Sequence, residues 1–98
     1  REFQLEFSML KTLENLISTI RQKKKSPDEK SYTSKLLRDK NLSVEKVKEE
    51  IAELIEAVEN NSNTVHEAAD VLYHLLVYLE GNGVRIEDIM LELDKRRK

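Results

Sequence analysis

A chain of 98 residues with 17 basic and 19 acidic side chains, net charge −2, has room for one domain with a modest core and carries no basic field of the kind that binds nucleic acid or an anionic membrane. It has no cysteine, which excludes a disulfide frame and thiolate zinc sites and fits a reducing, cytoplasmic setting. One Pro, two Gly and 37% charged residues beside 39% hydrophobic ones suit helices joined by short connections, so an all-α fold is expected, and no run is apolar for long enough to span a bilayer.

Residues 1–8, REFQLEFS, precede Met9, a natural start position. They read as an added extension or as the edge of a larger polypeptide, with a single domain from 9 to 98. Phe3, Phe7, Leu10, Leu13, Ile17 and Ile20 recur at three- and four-residue steps, the pattern of an amphipathic helix ended by Ser26-Pro27-Asp28. The basic cluster Arg21 to Lys25 then sits at a helix C-terminus, where it complements the helix dipole and stays solvated. In SYTSKLLRDKN (Ser31 to Asn41), Leu36 and Leu37 suggest a short helix near 32–38 before a polar turn.

Ser43 is the expected N-cap of the next helix, whose core stripe is Val44, Val47, Ile51, Leu54, Ile55 and Val58 and which ends in Asn60-Asn61-Ser62-Asn63. A further helix carries Val65, Ala68, Ala69, Leu72, Leu75, Leu76 and Leu79, and GNG at 81–83 closes it with residues that tolerate the left-handed conformation. The last has Ile86, Ile89, Met90 and Leu93. Short connections make the later helices antiparallel neighbours, giving a bundle of four main helices plus the short one.

At about 100° per residue, the stripe before Asn60 centres on Ile51, and Lys46, Glu50, Glu53 and Ala57 form a separate flank. On the following helix Leu72 is expected at mid-core, with Glu67, Asp70 and His74 opposite it and Val71, Val77 and Tyr78 beside them. A helix apolar on most sides is buried on most sides, and in a chain this short the expected cover is a second subunit, making a homodimer. Acids in a covered face need a positive partner.

Glu50 and Glu53 are spaced i,i+3, as are Glu67 and Asp70. Antiparallel packing of these flanks would gather four carboxylates, hard oxygen ligands suited to Mg²⁺ or Mn²⁺. The competing readings are plain: a single acidic pair in so acidic a chain is ordinarily solvated, and Thr64-Val65-His66-Glu67 fits a capping box that would turn Glu67 back to Thr64. The metal reading asks for a helix start nearer Asn61 or Ser62. His74 reads as hydrogen-bonded or substrate-facing rather than as a ligand, and His66 and His74, eight residues apart on different helix sides, do not suggest zinc. Tyr73 and Tyr78 read as packing residues. Lys46 either meets a phosphate or pairs with Glu50.

SYTSKLL (31–37), KVKEEIAEL (46–54) and EAADVLYHLL (67–76), in this order and preceded by LENLISTIRQ, together resemble phosphoribosyl-ATP pyrophosphohydrolase of histidine biosynthesis, a family within the MazG-like all-α nucleotide pyrophosphatases. The resemblance implies that Glu50, Glu53, Glu67 and Asp70 bind Mg²⁺ and carry catalysis, with Glu49 as an additional, more distant ligand. It implies hydrolysis of the α–β phosphoanhydride of phosphoribosyl-ATP, with Arg21 and the Ser31, Tyr32, Thr33 segment lining the substrate end. A functional or fused link to a phosphoribosyl-AMP cyclohydrolase is also implied. Lys48 departs from the family pattern, in which many relatives carry a small residue there. The alternatives are a MazG-type hydrolase of free nucleoside triphosphates and a non-catalytic helical dimerisation module.

Overall fold

The computed structural model describes residues 10–97, which form five helices and no strand: α1 (Lys11–Lys25), α2 (Tyr32–Arg38), α3 (Lys40–Asn60), α4 (Thr64–Gly81) and α5 (Ile86–Lys95). The expected all-α fold is present, including the short helix near 32–38. Phe3 and Phe7, placed above in the first helix, lie outside the described residues. No helix here is long and apolar enough to cross a membrane.

Local chemistry sets the helix ends. α1 stops where Ser26 leaves helical geometry ahead of Pro27, and Lys23, Lys24 and Lys25 occupy its last turn. Ser31 caps α2, its Oγ accepting the Ser34 N–H at 3.2 Å. Ser43 does not cap α3. Asp39 does, its Oδ1 accepting the Leu42 N–H at 3.1 Å, while its own N–H closes α2 on the Lys35 carbonyl. One residue therefore ends one helix and starts the next, and Ser43 becomes a buried residue of the first turns. Asn61 ends α3 at φ 52°, the left-handed conformation that asparagine tolerates. Gly83 takes φ 77° beyond α4, and Gly81 lets Leu37 of α2 approach, since a Cβ there would stand 3.3 Å from Leu37 Cδ2.

The core lies where α1 and α2 pack on the C-terminal half of α4. Ile17, Ile20, Leu36, Leu76 and Val77 are buried together, with Leu13, Leu16, Leu37, Leu42, Tyr73 and Ile86 packed against them. This corrects the expected facing of α4: Val77, assigned above to an outer flank, is 1% exposed, and Leu72, expected at mid-core, is 51% exposed. The stripe of α3 is likewise turned outward at Ile51, Ile55 and Val58, which are all exposed. The cause is steric. α1 and α2 bind the Tyr73, Leu76, Val77 and Glu80 side of α4, which lies roughly a quarter turn from Leu72 at 100° per residue. α3 packs along α4, and its own buried residues are Ser43, Glu50 and Ala57. The helix pair thus puts its acids inside and part of its apolar surface outside.

Candidate metal and substrate site

Glu50 is 6% exposed and points from the middle of α3 toward α4. Lys46, one turn earlier, reaches it at 3.7 Å through Oε2 and reaches Glu49 at 3.2 Å. The expected pairing with Glu50 is present, Glu49 is a second partner, and the pairing raises the Lys46 pKa, chiefly through the hydrogen bond to Glu49. The other oxygen of Glu50, Oε1, is buried with no hydrogen-bond partner.

Across the interface, Glu67 repeats the pattern. Its Oε1 is also buried and unpartnered. The capping box does not form: α4 starts at Thr64 after Asn63, which is left-handed at φ 56° and makes no side-chain cap bond, and Thr64 Oγ1 donates instead to the Ala57 carbonyl at 3.4 Å. The helix starts no earlier than Thr64, yet Glu67 is not drawn into a capping box, because Asn63 holds the N-cap position and its carbonyl accepts the Glu67 N–H.

Glu53 joins the two sides. Its carboxyl is pushed above the usual range first by the charge of Glu50, then by desolvation, then by Glu67 and Glu49, with a side-chain hydrogen bond to Glu67 contributing. A carboxylate pair in contact across α3 and α4 is costly as two bare anions. The ligand oxygens fall into two clusters, Glu49-Glu50-Glu53 on α3 and His66-Glu67-Asp70 on α4, each within 4.8 Å internally. They meet through Glu53 and Glu67. Asp70 sits toward the rim, its side chain 38% exposed and 3.4 Å from His66 Nε2.

The donor set fits a hard divalent cation. Carboxylate oxygens dominate it, no thiolate is present, and the Oε1 atoms of Glu50 and Glu67 are buried without a hydrogen-bond partner among the described residues, where a positive partner would be favoured. Asp70 and His66, i,i+4 on one helix, form a contact that spacing alone could have suggested.

The residues assigned to the substrate end are divided. Tyr32 and Thr33 lie beside α4: the Tyr32 hydroxyl meets His74 Nε2 at 3.1 Å, and Thr33 Oγ1 meets the Tyr73 hydroxyl. Burial raises the Tyr32 pKa, nearby Lys46 lowers it, and Tyr73, Glu50 and Glu49 raise it. Ser31 is occupied as the α2 cap. His74 is 6% exposed, its Nδ1 bound to the Asp70 carbonyl at 2.9 Å. Lys48 is exposed on the outer side of α3.

Arg21 is placed elsewhere. Its guanidinium donates to both oxygens of Glu80, at 3.0 and 2.9 Å, and to both of Glu87, at 2.9 and 2.7 Å. This double fork ties α1 to α4 and α5. Glu80 is ten residues beyond Asp70, about 15 Å along the helix at 1.5 Å per residue. Lys24 completes the junction, donating to the Glu80 carbonyl at 2.6 Å.

A family model described as phosphoribosyl-ATP pyrophosphohydrolase matches residues 13–97. The phosphoribosyl-ATP pyrophosphatase of Methanoregula boonei is 42% identical over 94 residues, covering 91% of this chain and 90% of that protein. That of Halobacterium salinarum is 38% identical over 91 residues, covering 87% and 96%. The chloroplastic histidine biosynthesis bifunctional protein hisIE of Arabidopsis thaliana is 40% identical over 98 residues, but this chain spans only 35% of its length.

Proposed function

Because the chain belongs to the phosphoribosyl-ATP pyrophosphohydrolase family, a family of hydrolases, we propose that it cleaves the α–β phosphoanhydride of phosphoribosyl-ATP, giving phosphoribosyl-AMP and pyrophosphate, with Mg²⁺ as cofactor and Mn²⁺ as a substitute. The observation that carries the cofactor reading is the pair of buried, unpartnered oxygens, Glu50 Oε1 and Glu67 Oε1, on facing helices. Glu50, Glu53, Glu67 and Asp70 would hold the ion, with Glu49 further out. When bound, it supplies positive charge for the phosphate oxygens and lowers the pKa of water.

The chain's own residues do the rest. The α3–α4 packing preorganises the carboxylates so that little reorganisation is needed as charge moves toward the leaving group. They work as anions, and cation binding offsets the repulsion that raises the Glu53 pKa. Lys46 holds Glu49 and Glu50 in place from the outer side. No side chain need become a covalent nucleophile.

The exposed apolar stripe of Ile51, Ile55, Val58, Val65 and Leu72 supports the further reading that the working form is a homodimer joined through α3 and α4. Its similarity to part of the bifunctional hisIE protein supports a functional or fused link to a cyclohydrolase.

The deciding experiment measures pyrophosphate release from phosphoribosyl-ATP with Mg²⁺, with chelator, and for Glu50→Gln and Glu67→Gln. Activity is expected only with the metal, and each variant should lose roughly a hundredfold or more of turnover while keeping its helical circular dichroism. Full activity in chelator would refute the cofactor. Faster turnover of ordinary nucleoside triphosphates would move the substrate to the MazG-type class.

A further inference from the structure

Tyr32 is 45% exposed, yet its position is fixed, because its hydroxyl is joined through His74 to the backbone of Asp70 in the α4 acidic cluster. The carbonyl of Asp70 can only accept, so Nδ1 of His74 carries the proton there and Nε2 is left to accept from the Tyr32 hydroxyl. His74 is buried, and both ring nitrogens are used within the chain. Behind the Tyr32 ring lies Tyr73, at 21° to it and with centroids 6.3 Å apart, itself tied through its hydroxyl to Thr33. The His74 ring stands edge-on to both tyrosines, at 5.8 and 4.9 Å.

An aromatic ring held at its tip and backed on one face, while much of its surface meets solvent, is already ordered for a flat ligand. Stacking there costs little side-chain entropy. A sequence-tolerant π-face beside a phosphate-handling carboxylate cluster is the arrangement that binds a base and its phosphates together.

We propose that Tyr32 is the stacking platform for the purine of the substrate and that His74 is the positioning residue that holds it, so that the pair selects a base-bearing triphosphate over triphosphate alone. This deepens the reaction assigned above and rests on it. His74 acts through Tyr32 and does not itself touch the substrate.

The test uses the full chain with Mg²⁺ and the variants Tyr32→Leu, Tyr32→Phe and His74→Gln. It reads kcat and KM for phosphoribosyl-ATP, the inhibition constant of tripolyphosphate, which has phosphates and no base, and the dissociation constant of AMP by calorimetry. Tyr32→Leu should raise KM roughly tenfold or more, change kcat by less than about threefold, and weaken AMP binding roughly tenfold or more. Tripolyphosphate should lose far less affinity than phosphoribosyl-ATP. Tyr32→Phe keeps the ring and should recover most of the KM, with His74→Gln between the two. An unchanged KM and AMP affinity in Tyr32→Leu, equal weakening of tripolyphosphate, or a Phe variant as poor as the Leu variant would each overturn the platform. If the unaltered chain does not turn over phosphoribosyl-ATP, the reaction assignment fails, and AMP binding to Tyr32→Leu still decides whether this ring receives a base.

Discussion

Glu53 concentrates the conflict between folding and chemistry in one side chain. It sits between Glu50 and Glu67, and their charges hold its carboxyl above the ordinary range. Glu53→Gln removes that repulsion, so in chelator the variant should melt above the unaltered protein. Its pyrophosphohydrolase activity should fall at the same time. A lower melting temperature would mean that Glu53 is not strained. Glu87 is the opposite case: hydrogen bonds from Arg21 hold its carboxyl at about 2, against an ordinary 4.5. A depressed folded-state pKa gives stability that is present above the ordinary value and lost as pH falls through the folded one. Melting temperature should therefore drop between about pH 4.5 and 2, and Glu87→Gln should flatten part of that drop; an identical acid profile in the variant would remove Arg21–Glu87 from the account.

Among the elements, the α2–α3 junction is the most economical. Asp39 closes α2 with its N–H and opens α3 with its carboxylate. Asp39→Ala should cost about 1 kcal/mol of unfolding free energy, measured by urea denaturation, while Ser43→Ala should leave the start of α3 intact because that hydroxyl is not its cap. If Ser43→Ala is the more damaging in helix content, the cap has been misplaced. The sequence reading points to Ser43 alone. Ser43 precedes the run of apolar residues, but Leu42 is drawn into the core from α3's first turn, so the helix must begin earlier and the nearest acceptor is Asp39. α4 shows a similar choice: Thr64 and Glu67 fit a capping box by spacing, but Asn63 is the N-cap and its carbonyl takes the Glu67 N–H, while the Thr64 hydroxyl donates to Ala57 of α3.

At the scale of the whole molecule, the apolar stripe on α3 and α4 lacks a cover within the described residues. Ile55 is 55% exposed, Leu72 51% and Val65 84%. Each such side chain contributes about 1.5–3 kcal/mol when fully buried, enough in combination to hold two copies together. Ile55→Glu or Leu72→Glu should give a monomer by sedimentation, and the melting temperature of the unaltered protein should rise with its concentration. A monomer at all concentrations would remove the dimer. The three-carboxylate contact lies between α3 and α4 of one chain, so such a monomer should still bind Mg²⁺.

The sequence by itself determined the helices, most of their ends, and the i,i+3 spacing that puts Glu50 with Glu53 and Glu67 with Asp70, because periodicity and turn chemistry are local. It also carried the three motifs that mark the family. Only the tertiary structure decided which way the helices face. α3 and α4 are apolar over so much of their circumference that their patterns admit more than one inner side. The choice was made by α1 and α2, whose Ile17, Ile20 and Leu36 pack on the Leu76–Val77 side of α4. That rotation carries Leu72 outward, brings the acids between the helices, and leaves Arg21 bound to Glu80 and Glu87 at the far end, a placement that depends on contacts distant in sequence.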